Sequence, residues 1–162
     1  MENRAFSIRD LDSAERNVAL ILGIVFLFVG IAGFIPGFVS LPTAAPTVHV
    51  DAPRLLFDDG YGYVLGLFPT NYLHNAVHIV VGLLGVAAAT SFSGSLVYNR
   101  IFAISYALIT IMGILPFTNT TFGLMPIYGN NVWFNAITGA IAYYYGFMKP
   151  AKSVDMTNSP SI

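Results

Sequence analysis

Four stretches of the chain are almost continuously apolar, and each is bounded by a proline or a polar break. Val18 to Phe34 runs up to Pro36, Asn71 to Phe92 follows Pro69, Tyr98 to Leu115 stops at Pro116, and Val132 to Met148 is closed by Pro150. About 17–25 apolar residues carry a helix across the hydrocarbon of a bilayer, so the pattern predicts four transmembrane helices. Local signals agree with these starts. Asp12 followed three residues later by Glu15 has the form of a capping box, and Pro69 suits a first helical turn, where its missing N–H has no partner to lose. Tyr143, Tyr144, Tyr145 and Phe147 stand where an aromatic belt meets the headgroups.

The first apolar run follows a mixed-charge segment with Glu2, Asp10 and Glu15 and has no small-residue cleavage site, so it reads as a retained helix and not as a secretory signal. One long connection, about residues 40–68, separates the first two runs and is rich in Pro, Gly and acids. Its Leu55, Leu56, Phe57, Tyr61 and Tyr63 suit either an interfacial segment or a loosely folded loop. The expected organisation is a cytoplasmic segment over residues 1–15, one four-helix membrane domain over 16–150, and a disordered cytoplasmic tail over 151–162.

Composition agrees with this picture. Of 162 residues 56% are hydrophobic and 9% charged, against about a quarter charged in soluble domains. The net charge of −1 and the lack of any basic run exclude the positive patch of a nucleic-acid binder. The chain has no cysteine, which removes disulfides, thiolate metal sites, iron–sulfur clusters and cysteine nucleophiles. Basic residues set orientation. With the N-terminus inside, Arg4, Arg9, Arg16, Arg100, Lys149 and Lys152 are cytoplasmic and only Arg54 is external. The chain is expected in a plasma (inner) membrane or a thylakoid-type internal membrane, with both termini cytoplasmic and the lipid bilayer as its surroundings.

The second and fourth runs align without a gap. Gly66-Leu67-x-Pro69, His74, His78 and Gly82 fall opposite Gly123-Leu124-x-Pro126, Asn131, Asn135 and Gly139, and Gly33-x-x-Pro36 is echoed by Gly113-x-x-Pro116. The fold expected is all-α, a bundle of two tandem helical hairpins, with the second and fourth helices in equivalent places and face to face. At helical spacing His74, His78, Gly82, Gly85 and Ala89 share one face, opposite Asn131, Asn135, Gly139 and Ala142. Gly82, Gly85, Gly139 and Ala142 then serve close helix packing, and Asn71, His74, Asn75, His78, Asn131 and Asn135 form a polar pocket or zipper between the two helices.

The segment Phe68-Pro69-x-Asn71-x-Leu73-His74-Asn75-x-x-His78-x-x-x-Gly82, with the helical layout, resembles the bacterial membrane proteins grouped as domain of unknown function 4383, a four-span family. The resemblance covers most of the chain apart from the tails and the long loop. It implies a small inner-membrane protein and supplies architecture without a mechanism. In that family the last helix often carries an acid and a histidine where Asn131 and Asn135 stand here, a departure that weakens a metal or proton-relay role.

Two functional classes stay open. In the first, His74 and His78 are neutral interhelical glue worth roughly 1 kcal/mol or less per bond, and the protein is a structural or accessory subunit with a membrane-protein partner or a second copy of itself. In the second, His74 and His78 ligate a cofactor, a haem or chlorophyll tetrapyrrole, or a metal completed by His49, Asp58 or Asp59. His74-x-x-x-His78 lacks the glutamate that a zinc-peptidase helix needs after its first histidine, since Asn75 accepts no proton. With no catalytic set visible, the chain reads as a non-enzyme. Small-solute transport is the weakest reading, for no carboxylate or lysine lies within a span to couple ions.

Overall fold

The computed structural model describes residues 13–41 and 55–148. Its elements are α1 (Ala14–Ala32), a single 3-10 turn (Pro36–Phe38), the strands β1 (Val39–Ser40), β2 (Gly62–Val64) and β3 (Phe68–Thr70), then α2 (Tyr72–Ala88), α3 (Phe92–Ile114) and α4 (Asn130–Tyr143), the last continued by a π-helical turn (Tyr144–Met148). The protein is mostly helical. Two helices, α1 with 19 residues and α3 with 23, are long and apolar enough to cross a membrane, and α2 is a shorter apolar helix.

Several helix bounds differ from expectation. Asp12 lies outside the described residues, and the cap of α1 is Ser13, whose side chain accepts from the Arg16 N–H. The second and third helices meet three residues apart, where a longer break was expected. Ser91 caps α3 by accepting from the Gly94 N–H at 3.0 Å, so the polar run Thr90–Ser95 is a cap and a first turn and not a loop.

The long connection is not structureless where it is described. β1, β2 and β3 form an antiparallel sheet in that order, with Val39 opposite Val64, Tyr63 opposite Pro69 and Val64 opposite Phe68. Leu65 and Gly66 turn the β2–β3 hairpin with φ of 55° and 70°, the left-handed pair that a tight primed hairpin turn requires. Their opposite numbers in the repeat, Phe122 and Gly123, have φ of 57° and 93°.

Antiparallel contact joins α1 to α2 and α3 to α4, the two closest pairings in the molecule. Glycines set the first of these. A Cβ on Gly23 would stand 2.6 Å from the Val86 nitrogen, and one on Gly82 would stand 2.6 Å from the Leu27 nitrogen. At the centre Phe26 lies edge to face with His78, Phe102 and Tyr106, at centroid distances of 5.0, 5.2 and 5.1 Å, and tilted against Phe134 at 5.2 Å. Leu22, Ala103 and Ala142 complete this core.

The outer faces are apolar. Ile21, Ile24 and Phe28 on α1, Val80, Leu83 and Leu84 on α2, Ile101, Ile104 and Leu108 on α3, and Trp133 and Ile137 on α4 are all exposed, while Asn71, Asn75, Asn99, Asn131 and Asn135 are buried.

Candidate functional site

Position and partners of each polar residue follow from the helix starts. Asn71 is the N-cap of α2: its Oδ1 accepts from the His74 N–H at 2.9 Å, and its Nδ2 donates to the Phe57 and Leu124 carbonyls, each at 2.7 Å. Asn75, one turn on, donates to the Gly33 carbonyl at 2.8 Å and accepts from the Thr70 hydroxyl. Gly33 has to be glycine because the Asn75 amide occupies the space of its Cβ. On α4, Asn131 donates to Pro69 at 2.7 Å and to Pro126 at 3.0 Å, and Asn130 donates to Leu67 at 3.1 Å. Leu67 and Leu124 are opposite numbers in the repeat. Each carbonyl therefore takes an asparagine amide from the helix start of the other half.

The expected face-to-face meeting of α2 and α4 is corrected by this geometry. Gly82 and Gly85 pack on Gly23 of α1, and Gly139 packs on Tyr106 and Ala107 of α3. Phe26 lies between His78 of α2 and Phe134 of α4, and its bulk keeps the two glycine faces on their own hairpin partners. Ala142 is fully buried in the same central core. No hydrogen bond joins His74 or His78 to Asn131 or Asn135 among the described residues, since Asn131 uses its amide on two backbone carbonyls. Asn135 is buried, its backbone carbonyl accepting from the Thr138 hydroxyl at 3.3 Å.

His74 and His78 are each 5% exposed, with ring centroids 4.3 Å apart. Neither Nδ1 has a hydrogen-bond partner among the described residues. Of the three further ligands considered for a metal, His49 lies outside the described residues, and no group of three or more His, Cys, Asp or Glu forms among those described.

The other end carries a feature that the sequence reading missed. Arg16 at the start of α1 donates through Nε to the Ala89 carbonyl at 2.8 Å, and through Nη2 to Thr90 at 3.3 Å. Arg100 on α3 donates through Nε to the Gly146 carbonyl, also at 2.8 Å. Ala89 and Gly146 are separated by the same interval as Gly82 and Gly139, so each hairpin closes with an arginine of its first helix on an equivalent carbonyl at the end of its second. A cation there also meets the negative end of the helix dipole. The signal in the sequence is a single arginine within the first helix of each hairpin, Arg16 in α1 and Arg100 in α3.

Beyond the asparagines, the Tyr61 hydroxyl bonds to those of Tyr63 and Tyr128. Burial pushes the Tyr61 and Tyr63 phenols up to about 12 and raises that of Tyr128.

Fold and site together define a mostly helical protein, with two helices able by length and composition to cross a membrane and an interior in which the amides of Asn71, Asn75 and Asn131 and the Arg16 guanidinium bond to its own backbone. The chain belongs to the family described as Domain of unknown function (DUF4383), which it matches over residues 16–148. No curated protein and no solved structure matches it.

Proposed function

We propose that the protein is a four-span integral membrane protein of two tandem hairpins, with both termini cytoplasmic, acting as a structural or accessory subunit rather than as an enzyme. The observation that carries this reading is the inside-out distribution of its side chains. All four helices turn large aliphatic residues outward, as a lipid solvent demands. The buried Asn71, Asn75, Asn131 and Arg16 are committed to carbonyls of the same chain, which leaves them no substrate to serve. Arg16 and Arg100 lie at one end and the asparagine cap at the other, so the end holding the guanidiniums is the cytoplasmic one.

A second reading rests on one observation, the buried unpartnered Nδ1 atoms of His74 and His78. Intramembrane histidines with a free nitrogen suit axial ligation of a tetrapyrrole or a metal.

Two measurements test these readings. A reporter fused after Lys152 is expected to be active on the cytoplasmic side only, and activity in the external compartment alone overturns the topology. The gently solubilised protein is expected to show no Soret band and no stoichiometric metal. A band that disappears in the His74→Asn, His78→Asn protein overturns the accessory reading in favour of the second.

A further inference from the structure

At the asparagine-capped end, the β2–β3 hairpin and the start of α4 form an open cavity of about 250 Å³ lined by Tyr63, Leu67, Pro69, Tyr128, Gly129, Asn130 and Trp133. Three of these seven are electron-rich aromatics, and none is charged. We infer that this cavity is a binding site for a quaternary ammonium group of the choline type, presented either by a lipid headgroup or by a small soluble molecule.

Four features carry the inference. Aromatic walls attract a cation through the ring quadrupole, and cages of Tyr and Trp are the recurrent solution for methylated ammonium. A primary ammonium needs several hydrogen-bond acceptors, and the lining holds no carboxylate, whereas a methylated one donates no hydrogen bond and asks for none. The volume is below the roughly 300–1,000 Å³ of pockets that hold whole drug-sized ligands, so it fits a headgroup. The cage is also built: the Tyr61 hydroxyl ties the Tyr63 and Tyr128 hydroxyls together, and Asn130 pins the Leu67 carbonyl. The raised phenols keep these rings neutral across the physiological range, so attraction comes from the π faces and not from a phenolate.

Trp133 is the only tryptophan of the chain and is 70% exposed, so its fluorescence reports on the site directly. The full-length protein in a maltoside detergent is titrated with tetramethylammonium chloride, and in parallel with ammonium chloride and sodium chloride at equal ionic strength. A saturable change with tetramethylammonium alone is expected. Tyr63→Leu should weaken it about tenfold, and Tyr63→Phe, which keeps the ring, about twofold or less. An equal, non-saturating response to all three salts overturns the inference, as does unchanged affinity in a Tyr63→Leu protein whose circular dichroism matches wild type. If Tyr63→Leu fails to fold, Leu67→Phe, which adds bulk to the cavity without adding a second indole, serves in its place and should abolish saturation. Nanodiscs assign the source. Phosphatidylcholine discs that suppress the tetramethylammonium response, with phosphatidylglycerol discs that do not, support a lipid headgroup; a response retained in both supports a soluble ligand.

Discussion

Asn131 on α4 donates to the Pro69 carbonyl at 2.7 Å across 62 residues of sequence. Its second amide hydrogen goes to Pro126 at 3.0 Å, so one side chain fastens the ends of two loops. Asn131→Leu leaves two carbonyls without their donor in a buried place and should cost about 1–3 kcal/mol. A detergent melting curve identical to wild type contradicts that assignment.

Glycine packing predicts an asymmetry between Gly82 and Gly139. A Cβ at 82 meets backbone at 2.6 Å, whereas one at 139 first meets the Tyr106 Cβ at 3.3 Å. Gly82→Ala should therefore lose about 1–3 kcal/mol through overpacking. Gly139→Ala should stay within about 1 kcal/mol of wild type, because the intrinsic helical preference for alanine offsets a small clash. Melting temperatures of the two variants in one detergent decide the order.

Arg16 and Arg100 should differ in cost. Arg16 is buried and donates to two carbonyls, those of Ala89 and Thr90, whereas the exposed Arg100 donates to one, that of Gly146. Arg16→Met should therefore cost about 1.5–3 kcal/mol and Arg100→Met clearly less, because water reaches the exposed guanidinium; chemical denaturation that finds equal losses contradicts this order.

His78 offers a sharper test than its conservative replacement. Its Nδ1 has no partner and its ring packs on Phe26 at 5.0 Å, so His78→Leu removes an unsatisfied atom and keeps apolar contact. Stability should change by about 1 kcal/mol or less. Collapse of the fold together with loss of bound pigment or metal would show that the imidazole is a ligand.

Tyrosine ionisation should reveal the hydroxyl chain. Tyr61 and Tyr63 are pushed from 10.0 to about 12, so the folded state holds protons that the unfolded chain releases near pH 10. Their contribution to stability is complete below that pH and is lost between about 10 and 12. A spectrophotometric titration should show late-ionising phenols, and Tyr61→Phe should move Tyr63 back toward 10.

Helix number and the tandem order of the polar positions were legible because apolar runs and a fixed repeat interval survive in a single sequence. Helix bounds were less so, as Thr90 to Ser95 shows: a short polar run reads equally as a loop or as a cap and first turn. Pairing was misread for a physical reason. Glycines at equivalent positions mark equivalent environments, and here that environment is the first helix of each hairpin; which helix fills it depends on Phe26, whose bulk leaves no periodic trace. The sheet escaped because strands of two and three residues are shorter than any alternation can reveal. The aromatic cage escaped because Tyr63 and Tyr128 stand 65 residues apart on opposite sides of the repeat.

The bond from Asn71 to Leu124 has a consequence for biosynthesis. Its acceptor is made 53 residues after its donor, by which time α1 and α2 are already complete, so the first hairpin emerges with one of the two carbonyl partners of its capping asparagine still to be made. A nascent chain halted before Leu124 presents the β2–β3 segment unlatched, and protease sensitivity of that segment in chains of increasing length should drop abruptly once Leu124, Asn130 and Asn131 have cleared the insertion machinery. The ribosome, working from one end, thus delivers the latch and its catch at different times, and the last loop made decides when the first becomes permanent.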